Sequence, residues 1–103
     1  MATITVIFGS AVTKGEQGSA PVMNAYPRAS EDVTSSGTTA QSTITALRND
    51  VCEISNPAGG ADIRVAFGAD PTAAAGTGHI VPTGQTRWYG GMIDGHKVAV
   101  IDV

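Results

Sequence analysis

Cysteine occurs once in this chain, at Cys52, so no internal disulfide can form and the core has to be held by packing alone. Charge is also sparse: Asp, Glu, Lys and Arg together make up 15% of the residues, with a formal net charge of −3. The six basic side chains, Lys14, Arg28, Arg48, Arg64, Arg87 and Lys97, are spread singly along the sequence. Nucleic-acid binding needs clustered cations to displace phosphate counterions, and membrane-surface binding needs a basic amphipathic helix; neither pattern is present. No apolar run approaches the roughly 20 residues of a membrane-spanning helix. The opening Met-Ala-Thr-Ile-Thr-Val-Ile-Phe has no positive region ahead of its short apolar stretch, which leads us to expect a soluble, non-secreted product made in the cytoplasm. Aromatic residues make up only 5%.

What is abundant points to strands. Thr and Val suit a pleated, half-buried surface, and the 13 glycines suit frequent turns. Ala73-Ala74-Ala75 is the best local helix former, but it lies between Pro71 and Gly76 and is too short to stand alone. With 103 residues the chain has the size of one domain, with room for a two-layer sandwich but not for a deep internal cavity.

Along the chain, Ile4, Val6 and Phe8 alternate with Thr3, Thr5 and Ile7, the period of a strand, and Gly9-Ser10 should end it. Residues 9–28 lose the pattern and read as an irregular arm, with a small apolar island at Val22, Met23 and Tyr26. Further strands are expected at Ala29–Val33, Thr38–Ile44 and Val51–Ser55, then over Ile63, Val65 and Phe67, the cleanest alternation of all. Asn56-Pro57-Ala58-Gly59-Gly60 should join the last two as a hairpin. Gly68–Gly78 reads as a surface loop. Short strands follow at His79–Val81 and Arg87–Tyr89, and Lys97–Val103 closes the sheet after the Asp94-Gly95 turn. The expected architecture is a single all-β domain over residues 1–103: an N-terminal strand (1–8), an extended arm (9–28) and an antiparallel sandwich body (29–103), jelly-roll-like or immunoglobulin-like.

Candidate chemistry is thin, and no catalytic, metal or cofactor-binding residues are assigned. His79, His96 and Cys52 are the only good transition-metal ligands, and no two have the close spacing of a preformed site. Cys52 reads instead as a small buried hydrophobe and the histidines as solvated turn residues. No nucleophile-elbow pattern surrounds any serine. Glu31 and Asp32 are adjacent on a strand and face opposite ways, so they cannot act as a carboxylate pair across a cleft; an exposed strand end is expected. Gly76-Thr77-Gly78 lacks the following helix that a phosphate loop needs. Weak calcium binding at Asp70 or Asp94 has no EF-hand spacing behind it. Trp88-Tyr89 beside Arg87 is the most functional-looking feature: a protein-interface anchor or a sugar-stacking platform, or else core filling between the sheets.

Val65-Ala-Phe-Gly-Ala-Asp-Pro-Thr-Ala, followed by His79-Ile-Val-Pro-Thr-Gly and Gly95-His-Lys-Val-Ala-Val-Ile, resembles a pattern of small structural proteins of tailed bacteriophages. Ser36-Gly-Thr-Thr-Ala-Gln-Ser and Val51-Cys-Glu-Ile-Ser resemble the strands before it, so the likeness covers about residues 33–103. The longer Ala-Gly loop at 73–78 and the N-terminal segment depart from the pattern. The resemblance implies a β-sandwich of the virion, acting as a capsid decoration or cement protein that binds the major capsid protein or other virion subunits, and a homo-oligomer within the particle. It implies no enzymatic activity and no cofactor. Phe8, Tyr26, Trp88 and Tyr89 are the candidate interface anchors. The alternative is a carbohydrate- or receptor-binding β-module of a head or tail fibre, using Trp88 and Tyr89.

Overall fold

The structure, a computed structural model, describes residues 3–13, 21–23, 27–74 and 76–103. Every regular element among them is a strand: β1 (Thr3–Thr13), β2 (Pro21–Met23), β3 (Ala29–Thr34), β4 (Ala40–Gln41), β5 (Asp50–Asn56), β6 (Ile63–Gly68), β7 (His79–Val81), β8 (Gln85–Tyr89) and β9 (Lys97–Asp102). They form two antiparallel sheets packed face to face. One runs β3-β1-β5-β8, with β2 continuing alongside the far end of β1, and the other runs β4-β9-β6-β7.

The order of pairing identifies the sandwich type. β3 lies beside β1, β4 beside β9, β5 beside β8 and β6 beside β7, and successive pairs fall in alternate sheets. Such nesting around a central hairpin is the order of a jelly roll, with the strand that ordinarily closes the roll placed first in the chain. It decides between the two sandwich types expected from the sequence.

Alternation supplies the core. Ile4, Val6, Phe8, Cys52 and Ile54 face inward from one sheet, and Ile63, Val65, Val98 and Val100 from the other, all of them buried. Each large apolar side chain removed from water in this way contributes about 1.5–3 kcal/mol. Phe8 is fully enclosed, at 0% exposure, and lies between Ala29 and Cys52 on the neighbouring strands. It fills the core and is withdrawn as an interface anchor.

Four local outcomes differ from the sequence expectation. β1 does not stop at Gly9-Ser10: it runs on to Thr13, and Ala11–Thr13 pair with Pro21–Met23. The remainder of the expected arm, including Tyr26, lies outside the described residues. β5 and β6 are not a hairpin, because β5 pairs with β1 and β8 while β6 pairs with β7 and β9. The buried Asn56 explains the crossing: its Nδ2 donates to the carbonyls of Ala61 (2.9 Å) and Val81 (3.0 Å), tying the turn to the opposite sheet.

The fourth strand is only two residues long because Ser42 takes over the ladder. Its N–H still donates to the Val98 carbonyl (2.7 Å), but its hydroxyl accepts the return bond from the Val98 N–H at 3.1 Å and donates to the Ile44 carbonyl at 3.1 Å, so a side chain stands in for half of the backbone rung. The loop after β6, in turn, is folded down onto the second sheet. Gln41 Nε2 donates to Asp70 Oδ1 (2.7 Å) and the Pro71 carbonyl (2.8 Å), the Ala73 N–H donates to Thr39 Oγ1 (2.9 Å), and Pro71 and Ala73 are buried. Gly78 then brings the chain back into β7. Its φ is +83°, and a Cβ there would stand 2.5 Å from the Val65 carbonyl oxygen, so no other residue fits without a shift.

Candidate functional site

A cleft of about 500 Å³ opens at the end of the sandwich where β6 and β8 stop and β7 begins. Its floor is aromatic. Phe67 from β6 and Tyr89 from β8 meet across the two sheets with ring centroids 5.1 Å apart, and the His79 imidazole from β7 lies 4.9 Å from Tyr89 and 6.3 Å from Phe67. Offset and edge contacts of this kind match the positive edge of one ring to the negative face of another. Trp88 stands at the rim, and the wall is the segment from Gly90 to His96, with Met92 buried and Ile93 58% exposed.

That wall is held in place from behind. The Gly95 N–H donates to the Ala46 carbonyl (2.9 Å) and the Ala46 N–H to the His96 carbonyl (2.8 Å). The Asn49 N–H donates to the Met92 carbonyl (2.8 Å), with a longer return bond from the Met92 N–H to the Asp50 carbonyl (3.3 Å). Residues 46–50 are themselves anchored by the Asp50 carboxylate. It pairs with Arg28 at 2.5 Å and accepts the Leu47 N–H at 2.8 Å, while Arg28 also donates to the Thr45 carbonyl at 2.9 Å. Asn49 turns the segment with φ +66°, a conformation that Asn tolerates better than most residues. The wall is therefore braced in two steps: the buried Asp50 carboxylate holds the loop of residues 46–50, and that loop is hydrogen-bonded to the wall.

Trp88 is 61% exposed and sits on the outer face of its sheet, directly across from Glu53. Its indole Nε1 donates to Glu53 Oε1 at 2.9 Å, so the ring is fixed in orientation although it is open to solvent. It does not fill the core. Tyr89 does so in part, with its hydroxyl pKa pushed up by burial against the opposing pull of the Arg87 charge. Tyr89 is thus brought together with Phe67, His79 and His96 in the cleft, Trp88 borders the cleft from the outer face of the sheet, and Phe8 lies in the core.

The histidines, expected in solvated turns, both line the cleft. His79 is on β7 and His96 closes the turn before β9. The sequence held no sign of this, because Phe67, His79 and Tyr89 are separated along the chain and converge only through strand pairing. Among the described residues no three His, Cys, Asp or Glu side chains are grouped as a metal site. Cys52 behaves as expected for a buried hydrophobe: burial, with Glu53 and Asp50 nearby, pushes its thiol pKa up to about 12.

Glu31 is more than an exposed strand end. It accepts the Thr43 N–H (2.6 Å), the Thr43 hydroxyl (2.7 Å) and the Ile44 N–H (3.3 Å), tying edge strand β3 to the link between the sheets. Asp32, on the opposite face, accepts the Thr5 hydroxyl at 3.0 Å. Comparison of the chain with protein-family models, with curated proteins and with solved structures found no match.

Proposed function

We propose that this chain is a structural subunit of a bacteriophage virion, a capsid decoration or cement protein that binds the major capsid protein and stabilises its lattice. The observation that carries the reading is the length of β1. It has 11 residues, its last rung with β5 is Ser10 opposite Asp50, and Ala11–Thr13 continue beyond that rung, paired among the described residues with Pro21–Met23. A two-stranded ribbon leaving a compact roll has backbone groups free to add to the edge of a neighbouring subunit, the geometry of strand addition. Sheet edges at β3, β4, β7 and β8 offer the same chemistry on the body.

Two further points support the reading. The motifs of residues 33–103 resemble those of small tailed-phage structural proteins, and rolls of this strand order recur in viral capsid domains. On a lattice, many copies act together, so a modest interface on each one is enough to hold. Fold alone does not set function, and the experiment is therefore direct. Particles purified from cells that produce the chain are imaged by electron microscopy. Density for the roll at regular lattice positions, with the β1–β2 ribbon laid on a neighbouring subunit, is the expected result. Particles that lack the chain altogether would overturn the proposal.

A further inference from the structure

We propose that the outer face of the sheet β3-β1-β5-β8 is a docking surface for a protein partner that presents an arginine, with Trp88 and Glu53 receiving the guanidinium. The inference goes beyond the virion reading and does not depend on it, because the face belongs to the sandwich body. Trp88 is the first observation. It is 61% exposed on the outer side of edge strand β8, and its 2.9 Å bond to Glu53 Oε1 fixes the ring in orientation. Removing a large aromatic surface from water is favourable, and a ring already held in place loses little entropy when a partner covers it. Tryptophan and arginine are both enriched among the residues that dominate protein interfaces.

Charge selects the partner. The described strand residues that point outward on this sheet are mainly Ser and Thr, with Ile7 and Val51 half-buried between them. The charged ones among them are Asp32 and Glu53, both acidic. Arg28, just ahead of β3, is engaged by Asp50 and the Thr45 carbonyl, and Arg87 points to the other face of β8. The complement of such a face is cationic, and the phosphates of nucleic acid or of an anionic lipid are repelled. Arginine fits better than lysine, because its planar guanidinium stacks on the negative face of an indole and keeps N–H groups free to reach a carboxylate at the ring edge. Glu53 stands at that edge, and with Oε1 taken by the indole N–H, Oε2 is the oxygen left for the partner. A sheet face is flat, which suits a protein surface and not an enclosed small molecule.

Trp88 is the only tryptophan, so its indole N–H gives a single resonance that reports on this face. The isotope-labelled chain is titrated at low salt with the capped tripeptide acetyl-Gly-Arg-Gly-amide and with its lysine and citrulline counterparts, citrulline keeping the planar shape without the charge. The arginine peptide should shift the indole resonance and the amides of residues 53 and 86–88, saturating with a Kd on the order of 10–100 mM for one stacked and paired side chain. The lysine peptide should bind more weakly, and the citrulline peptide at least about threefold more weakly. Glu53→Gln keeps an acceptor for the indole and removes the charge. It should weaken arginine binding at least about threefold, as should Trp88→Ala followed by the amides. Asp94→Asn, which removes an acid from the turn before β9, should leave binding unchanged. No arginine binding, shifts away from this face, lysine or citrulline bound as tightly as arginine, or a loss in Asp94→Asn equal to that in Glu53→Gln would each overturn the proposal.

Discussion

Replacing Phe8 by alanine tests whether this side chain belongs to the core or to a surface. Phe8 has no exposed area and is flanked on its own sheet by the small side chains of Ala29 and Cys52. Neither neighbour is long enough to lean into the space that the ring would vacate. The transfer cost is therefore joined by a cavity cost with little relaxation, which places the substitution within or above the usual range of about 3–5 kcal/mol. For a domain of this size, 1 kcal/mol lowers Tm by about 4–8 °C, so the loss is roughly 12–40 °C. Against a total stability of about 5–15 kcal/mol, that leaves a marginal protein. Trp88→Ala is the matched control: it removes a larger ring that is mostly in solvent, and its effect should stay within about 0.5–1 kcal/mol. Urea denaturation of both variants, followed by far-ultraviolet circular dichroism, makes the comparison. A Phe8→Ala variant as stable as the parent, or a Trp88→Ala variant that loses more than Phe8→Ala, would refute the assignment of inside and outside on which both sheets depend.

Gly78→Ala should cost more than Gly76→Ala, although both glycines have positive φ. A Cβ at Gly78 would stand 2.5 Å from the Val65 carbonyl, while at Gly76 nothing lies within 4 Å. Backbone strain alone, about 1–2 kcal/mol, is expected at Gly76, with a steric cost added at Gly78; thermal melts of the two variants compare them. Acid should weaken the fold through Glu31 and Asp102. Partial burial raises the Glu31 pKa, but its bonds from Thr43 and Ile44 together outweigh that and hold it below its ordinary 4.5, while the Ser35 hydroxyl bond lowers Asp102 below 3.8. Both folded values are depressed, so their contributions are complete above the ordinary values and are lost as pH falls through the lowered ones. Urea midpoints measured from about pH 7 to about pH 3 should decline at the acid end, and Glu31→Gln should flatten part of that decline. Cys52, enclosed and with its pKa near 12, should react with a thiol reagent only as fast as the chain opens, so that labelling in native buffer is slow and denaturant accelerates it in step with unfolding.

The period of two was enough to read the strand positions, because apolar side chains facing a core must alternate with those facing water. Ile63, Val65 and Phe67, and Val98 with Val100, lie on inward faces as their spacing implied. Which strand lies beside which is not carried by local pattern. Asn56-Pro57-Ala58-Gly59-Gly60 has the composition of a hairpin turn, yet Asn56 spends its side-chain donors on Ala61 and Val81, and the chain crosses to the other sheet. In the same way Phe8 alternates as a core residue should, and only its place in the middle of a central strand shows that no surface remains for it. The cleft was half legible: Trp88-Tyr89-Gly90-Gly91 is contiguous, but its floor needs β6, β7 and β8 to end at one place.

The account rests on the nested pairing of the strands, and backbone proton contacts measured by nuclear magnetic resonance test it most directly. Cross-strand contacts are predicted between Val6 and Ile54 and between Val65 and Val100, with Phe67 and Tyr89 ring protons in contact between the sheets. Contacts running from residues 51–55 to residues 63–67 as one hairpin, with none between Val6 and Ile54, would contradict the roll and remove the cleft with it.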